Sequence, residues 1–497
     1  MRLSEIMEGT GASGSLGADP DVSLVTGDSR AVGPGTVFFA LRGARADGHA
    51  FAAEAARRGA VAVVAERTVA CAPALLLVAP STRRAMAIAA SNLHGNPGRA
   101  MTLAGVTGTN GKTTVTYLVE ACAAAAAIPV AVLGTVTHRW PGGRRAATHT
   151  TPESTEIAAT LAAARDAGAR LAVLEVSSHA LAQERTAALA FDAAAFTNLT
   201  RDHLDYHGDV ESYFAAKRRL FVDHLAPGGV AVVNGEDPWG ARLAAALAAA
   251  GRRVWRFGLR DGDVTARDVR SGLDGLSATV RTPAGEIAVR SPLVGAHNLE
   301  NLLCAAGLAL AAGVPLDAVR RGLAESSGAP GRLERIAGRG VDVFVDYAHT
   351  DDALARALAA LRAVGPRRLL VVFGCGGDRD RGKRPLMGEA AARGADLSIV
   401  TSDNPRTEDP AAIIAEIVPG LERAGAVRLD PARARGGDRG YVVEPDRRQA
   451  IALALAAARE GDAVLIAGKG HETDQIVGAE RRPFDDREEA RRALGIR

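Results

Sequence analysis

The sequence predicts a three-domain α/β protein. A smaller N-terminal α/β domain (residues 1–98) precedes a central parallel sheet of the P-loop type (99–328) and a C-terminal Rossmann-like α/β domain (329–497). Three observations carry this. Short β-rich runs alternate with alanine-rich helical stretches, the pattern of a parallel sheet covered on both faces. One of those runs, 103–106, feeds a glycine-rich turn that ends in a lysine and two threonines. The 497 residues exceed one ordinary core, and Asn96-Pro97-Gly98 and Ser326-Ser-Gly-Ala-Pro-Gly331 are breaker-rich where linkers are needed.

In the first domain, 37–41 and 60–64 read as buried strands, with helical composition over 51–58 between them. The central domain has strands at 103–106, 171–174, 193–197, 230–233 and 254–257. The third has them at 341–345, 369–373, 397–401 and 463–467. Each of these last four runs straight into a polar or glycine-rich loop: 346–349, 374–384, 402–408 and 468–472. Open α/β sheets bind ligands outside the carboxyl ends of their strands, so four such loops on one edge predict a composed site. The stretch 433–439 reads as a polar, mobile loop, and no internal repeat is visible.

Bulk properties exclude several classes. The formal net charge is +3, from 60 basic and 57 acidic residues, which argues against a nucleic-acid or membrane-surface binder. Aromatics are only 4% of the chain, so its cores must rest on Val, Leu, Ile and Ala. Cys71, Cys122, Cys304 and Cys375 show no C-x-x-C or zinc spacing, which suggests a reducing compartment. The N-terminus carries Glu5, Glu8, Asp19 and Asp21 and no apolar signal-peptide core. The apolar run 121–133 is too short to span a bilayer. A cytoplasmic, monomeric protein without nucleic-acid or membrane partners is expected.

The chemistry begins at Gly108-Thr-Asn-Gly-Lys-Thr-Thr114. Backbone N–H groups of such a turn, with the positive end of the following helix, cradle a nucleotide phosphate. Lys112 is placed to reach the outer phosphates and Thr113 to offer its hydroxyl to magnesium. The strict pattern needs Gly at 106, where Val106 stands. Glu175 ends the strand 171–174, a natural position for a magnesium ligand beside a phosphate loop. Asn198-Leu-Thr-Arg-Asp202-His203-Leu-Asp205-Tyr-His207 gathers ligand-type side chains, although a helix start capped by Asp or Thr explains part of it. Lys217, inside Tyr213-Phe-Ala-Ala-Lys217, reads as a solvated helical lysine. Asn298 opens an apolar helix, as a cap or as a purine contact. Gly374-Cys-Gly-Gly-Asp-Arg379 and Ser402-Asp-Asn-Pro-Arg406 are strongly charged loops.

Taken together, the 108–114 loop, Glu175-Val-Ser-Ser-His179, Asn198-x-x-x-Asp202-His-Leu-Asp205 and Asp346-Tyr-Ala-His349 resemble the Mur ligases of peptidoglycan synthesis. Their order is the family's order and spans almost the whole chain. Asp28-Ser-Arg30, Asp47-Gly-His49, Asp403-Asn-Pro-Arg406 and Gly468-Lys-Gly-His-Glu472 resemble the member that adds diaminopimelate. The resemblance implies ATP-driven amide formation between UDP-N-acetylmuramoyl-L-alanyl-D-glutamate and meso-diaminopimelate through an acyl phosphate, with closure of the third domain excluding water. It implies ATP contacts from Gly108, Thr109, Asn110, Gly111, Lys112, Thr113, Thr114, Asn298, Arg332 and His349. One magnesium ion is implied at Thr113 and Glu175, and a second at His203 and a carbamylated Lys217. Ser29, Thr150, Thr151, Ser177, Gln183 and Arg185 are implied for the UDP-sugar dipeptide.

Arg379, Asp403, Asn404, Pro405, Arg406, Gly468 and Glu472 are implied for diaminopimelate. There Arg406 suits a bidentate grip on the distal carboxylate, and Asp403, Asn404, Gly468 and Glu472 are expected to accept from the neighbouring ammonium. The chain departs from the family pattern at His149 and Asp351. Rival readings are a lysine-adding muropeptide ligase, a folylpolyglutamate synthase, which should lack the Asp28-Ser-Arg and Asp47-Gly-His pattern, and a non-catalytic nucleotide-binding regulator.

Overall fold

The protein's structure is a computed structural model that describes residues 1–14, 19–43, 46–338 and 340–496. These fall into two compact units. The first comprises Met1–Thr265, Arg281–Gly285 and Leu303–Gly322; the second comprises the other described residues. No described helix is long and apolar enough to cross a membrane.

The first unit begins with four parallel strands in the order Leu24–Thr26, Thr36–Phe39, Ala60–Ala65, Leu75–Val78. Alternate residues point to opposite faces of a strand. Val37, Phe39, Ala62 and Val64 therefore pack against the helices Leu3–Met7 and Thr82–Leu93. Phe38 and Val63 face Ala52–Arg57 on the other side.

The sheet that follows runs Arg253–Gly258, Leu225–Asn234, Phe191–Phe196, Thr102–Thr107, Leu171–Glu175, Val130–Leu133, all parallel. An antiparallel hairpin, Thr137–Trp140 with Gly143–Ala146, extends one edge. Gly105 has a reason to be glycine: a Cβ there would lie 3.0 Å from the Phe191 ring.

The second unit carries a six-stranded sheet in the order Glu334–Ala337, Asp342–Asp346, Ala463–Ala467, Leu369–Phe373, Leu397–Val400, Gly440–Val443. Only the first pair is antiparallel. Leu369, Val371 and Phe373 face helices Asp351–Ala363, Lys383–Gly394 and Pro410–Arg423. Leu370 and Val372 face Arg447–Ala457 and Asp486–Leu494. Burial on both faces is why these strands read as continuous apolar runs.

One expectation is corrected here. The stretch read as a mobile loop at 433–439 overlaps a short helix, Pro431–Gly436. Asp430 caps it by accepting from the N–H groups of Ala432 and Arg433, Pro431 opens it, and Gly437 closes it at φ +102°. The polar, glycine-containing composition was cap chemistry.

Candidate active site

The strand Thr102–Thr107 delivers the chain to the glycine loop, and the helix Lys112–Ala125 leaves it. Gly108 has φ +148°, and a Cβ there would lie 1.9 Å from Thr197 Oγ1. The loop is gripped from behind by residues 197–200. Thr109 N–H donates to the Asn198 carbonyl at 2.8 Å, Asn110 N–H to Asn198 Oδ1 at 2.9 Å, and Thr197 Oγ1 to the Asn110 carbonyl at 2.6 Å. Asn198 thus shapes the phosphate loop.

Two lysines converge on this loop. Lys112 Nζ donates to the carbonyls of Gly108 and Thr109, both at 2.9 Å. Lys217 Nζ donates to Gly108 O at 2.8 Å, and the side chain is 1% exposed. Burial, with Lys112 nearby, holds the Lys217 ammonium well below its usual range, against a partial opposing pull from Asp202. The expectation of a solvated lysine is corrected. Tyr213, Phe214, Leu220 and Phe221 are buried on the same helix, Val210–Val222. Lys217 lies three and four residues from each pair, on the apolar stripe. That spacing was the signal available in the sequence.

Glu175 closes its strand as a buried carboxylate. Its Oε2 accepts from Thr113 Oγ1 at 3.0 Å and Thr135 Oγ1 at 2.9 Å, and its Oε1 accepts from Thr135 N–H at 2.8 Å. Gly134 makes room, since a Cβ there would sit 2.2 Å from Oε1. Nothing in the sequence singled out Gly134 or Thr135; only the fold brings Val130–Leu133 beside Leu171–Glu175. Among the described residues no group of three or more His, Cys, Asp or Glu could hold a metal. The hydroxyl and carboxylate of Thr113 and Glu175 instead form a partial oxygen set. That set suits a hard cation whose other ligands are phosphate oxygens and water.

The ligand-rich segment 198–207 forms a ring cluster rather than the expected Asp- or Thr-capped start. His203 itself occupies the cap position of Leu204–His207, at φ +53°, without a side-chain cap bond. Asp209 caps the next helix, accepting from Ser212 N–H at 2.7 Å. Ring centroids lie 4.9 Å apart for His179 and His203, 4.2 Å for His179 and Tyr206, and 5.1 Å for His207 and Tyr213. Burial and its two histidine neighbours push His179 down to about 4. It is therefore a neutral ring at physiological pH.

Five of the six residues expected for the UDP-sugar dipeptide lie together. Thr151 Oγ1 donates to the Glu175 carbonyl at 2.8 Å and accepts from Ser177 N–H at 2.9 Å. Arg185 donates to Thr151 O at 2.7 Å and to Gln183 Oε1, and pairs with Glu153 at 2.8 Å. The Thr150 hydroxyl lies 3.1 Å from Thr135 Oγ1, to which it donates because the Thr135 hydrogen goes to Glu175. Ser29 lies in the turn Ser29–Ala31, capped by Asp28, and no hydrogen bond among the described residues joins it to the other five. His149 is exposed and contacts Thr148 Oγ1 at 3.2 Å.

In the second unit, Arg332 lies over the Tyr347 ring, 4.9 Å from its centroid, and His349 Nδ1 is 2.8 Å from Tyr347 O. Asn298 is buried. Its Nδ2 donates to Val294 O at 2.9 Å and its Oδ1 accepts from Asn301 at 3.1 Å, so its amide secures the helix start. The loops after all four strands converge: the Tyr347 and His471 rings lie 5.0 Å apart, and Lys383 Nζ donates to His349 O at 2.8 Å. Arg406, at φ +52°, is held by N–H to Ile476 O and by its carbonyl to Gly478 N–H, and its Nη1 donates to Gly377 O at 2.8 Å. Arg379 is exposed and shares the neighbourhood of Gly376 with Arg406. Asp403 Oδ2 lies against Gly468. Pro405 O crowds Gly377, where a Cβ would lie 1.9 Å away.

Asn404 departs from its expected role as an acceptor for the ligand. Its Oδ1 already accepts from Lys469 Nζ at 3.1 Å and Ile476 N–H at 2.9 Å, and its Nδ2 donates to Glu472 Oε2 at 2.8 Å. Lys469 was not singled out in the sequence, and its setting between two glycines was the only hint.

Known proteins with this sequence pattern are consistent along the whole chain. The family model for the Mur ligase family, catalytic domain, matches residues 21–94. The Mur ligase middle domain matches 106–309, and the Mur ligase, glutamate ligase domain, matches 331–470. The UDP-N-acetylmuramoyl-L-alanyl-D-glutamate–2,6-diaminopimelate ligase of Geobacter metallireducens is 47% identical over 99% of this chain and 97% of its own. The protein of the same name from Gloeobacter violaceus is 47% identical over 100% and 99%. A solved structure of a UDP-N-acetylmuramoyl-L-alanyl-D-glutamate–2,6-diaminopimelate ligase covers 95% of both chains at 36% identity, with a TM-score of 0.71.

Proposed function

The chain belongs to the Mur ligase family, and from that premise we infer an ATP-dependent ligase that adds meso-diaminopimelate to UDP-N-acetylmuramoyl-L-alanyl-D-glutamate. Near-full-length identity with the diaminopimelate ligases supports the choice of substrates. The observation that carries the reaction class is local. Lys112 and Lys217 meet at the Gly108 carbonyl, while Thr113 is bonded to the buried carboxylate of Glu175.

A carboxylate and an amine do not condense directly, because the leaving group is poor. The free carboxylate of the D-glutamyl residue attacks the γ-phosphorus of ATP. An O–P bond forms, the bond to the β–γ bridging oxygen breaks, and ADP departs. Lys112 is placed to meet the charge on the transferred phosphoryl oxygens. The amine of diaminopimelate then adds to the acyl carbon, loses a proton, and the tetrahedral intermediate expels phosphate. Thr150, Thr151, Ser177, Gln183 and Arg185 orient the dipeptide, the last four tied by mutual hydrogen bonds and Thr150 by Thr135.

Thr113 and Glu175 would hold one magnesium ion, and His203 with a carbamylated Lys217 would organise a second; bound there, the ions offset phosphate charge. The fit at Lys217 is chemical. A buried, uncharged amine adds to carbon dioxide, forms an N–C bond and releases a proton. That converts a donor into an oxygen ligand suited to a hard cation. In the second unit, Arg406 and Arg379 take the distal carboxylate of the amino acid, and Asp403 and Glu472 take its ammonium.

The test is release of phosphate and formation of the tripeptide product with ATP, the UDP-muramoyl dipeptide and individual amino acids. Absence of turnover with every amino acid would refute the ligase reading.

A further inference from the structure

Lys469 carries a charge that no step of the reaction uses, and it is 0% exposed. It follows the strand Ala463–Ala467, between Gly468 and Gly470 at φ +117° and +54°. A Cβ at 468 would lie 2.4 Å from Asp403 Oδ2, and one at 470 would lie 2.7 Å from Tyr347 Cβ. The ammonium meets three acceptors: Asn404 Oδ1 at 3.1 Å, Glu472 Oε2 at 3.2 Å and the Asp474 carbonyl at 2.5 Å. An ammonium has three donors and no acceptor, so Lys469 keeps none for a ligand.

Its effect falls on its partners. Asn404 Oδ1 has two lone pairs, and Lys469 with the Ile476 N–H engages both. A flipped amide would set its NH2 group against two donors, so the network fixes the orientation. One Nδ2 hydrogen goes to Glu472, and the other, with no hydrogen bond to the described residues, is left for a ligand. The backbones of the two loops have a tie besides Lys469. Buried Arg447 holds them by donating to Ser402 O at 3.4 Å and Ala467 O at 2.9 Å, and it is anchored by Asp486 at 2.7 Å.

We propose that Lys469 is a positioning residue for amino-acid recognition. It sets Asn404 as a hydrogen-bond donor toward the distal carboxylate of the incoming amino acid, beside Arg406, and sets Glu472 as the acceptor for the ammonium. This rests on the reading that these loops bind diaminopimelate.

Lys469→Met removes the charge and keeps the stem. The amino-acid KM should rise at least about tenfold, while kcat and the ATP KM change less than about twofold. An unchanged amino-acid KM overturns the proposal. So does an equal rise in both KM values, which marks general loosening. Should that variant not fold, Asn404→Asp decides. It puts an oxygen where the Nδ2 donor stood, and the amino-acid KM alone should rise by a similar factor; no rise overturns the proposal. Each KM is measured with whichever amino acid the unmodified enzyme ligates. A failure with diaminopimelate on that enzyme therefore strikes the substrate reading, whereas unshifted variants strike the role of Lys469.

Discussion

Lys112 and Lys217 donate to the same atom, the carbonyl oxygen of Gly108, at 2.9 and 2.8 Å. Burial first, and then the neighbouring Lys112 ammonium, drives Lys217 toward its neutral form. On the proposed mechanism Lys112 meets the phosphate and Lys217 reacts as an amine.

Lys112→Ala should abolish ligation, by about a thousandfold or more, and leave the fold intact. The side chain donates to the Gly108 and Thr109 carbonyls and is not one of the buried apolar residues among the described residues. Circular dichroism and phosphate release on the same preparation check this. Normal turnover by a folded variant ends the assignment.

Lys217 should be carbamylated in the active enzyme. Intact-mass analysis of gently handled protein with bicarbonate should show one added carbon dioxide that Lys217→Ala lacks. That variant should be nearly inactive and partly restored by acetate, a small carboxylate. An unmodified lysine in fully active protein contradicts the reading.

How much of this was legible in the sequence depends on what kind of signal each residue leaves. The strands were readable because Leu369 to Phe373 and Ala463 to Ala467 are apolar on both faces. Glu175 was readable from its place at a strand end. Lys217 was misread because composition was weighed above spacing, although its neighbours mark a buried stripe. Thr135 left no signal in the sequence, and Lys469 only its place between two glycines. Their importance comes from strand neighbours and loop convergence distant in sequence, such as Asn404 with Lys469.

Gly134→Ala should separate site geometry from stability. Its added Cβ would press 2.2 Å from Glu175 Oε1, so the carboxylate must swing away from Thr113 and Thr135. Activity should fall about a hundredfold, while stability drops by about 1–3 kcal/mol. Unchanged activity would show that the Glu175 position is immaterial.

Glu408 sets part of the acid limit of the second unit. Hydrogen bonds from the Arg384 guanidinium, the Asp378 N–H and Arg381 pull its carboxyl down to about 2 from 4.5. The folded state binds the proton less readily than the unfolded state. Its stabilisation is therefore present above pH 4.5 and is lost as pH falls through about 2. In urea midpoints taken across that window, Glu408→Gln should lose part of the wild-type slope. An identical slope would contradict the pairing.

The amino acid added, meso-diaminopimelate, differs from lysine by one distal carboxylate. Arg406 is locked at φ +52° by two backbone hydrogen bonds and by its Nη1 bond to Gly377. Lysine would leave its guanidinium without a carboxylate partner, a mismatch that can cost about 10⁴-fold in discrimination. Arg406→Lys should raise the KM for diaminopimelate far more than that for ATP, since a point charge cannot replace the planar fork. The most direct measurement is kcat/KM for the two amino acids on the unmodified enzyme, with saturating ATP and UDP-muramoyl dipeptide. A large preference for meso-diaminopimelate is predicted; equal values, or a preference for lysine, would contradict that choice of amino acid.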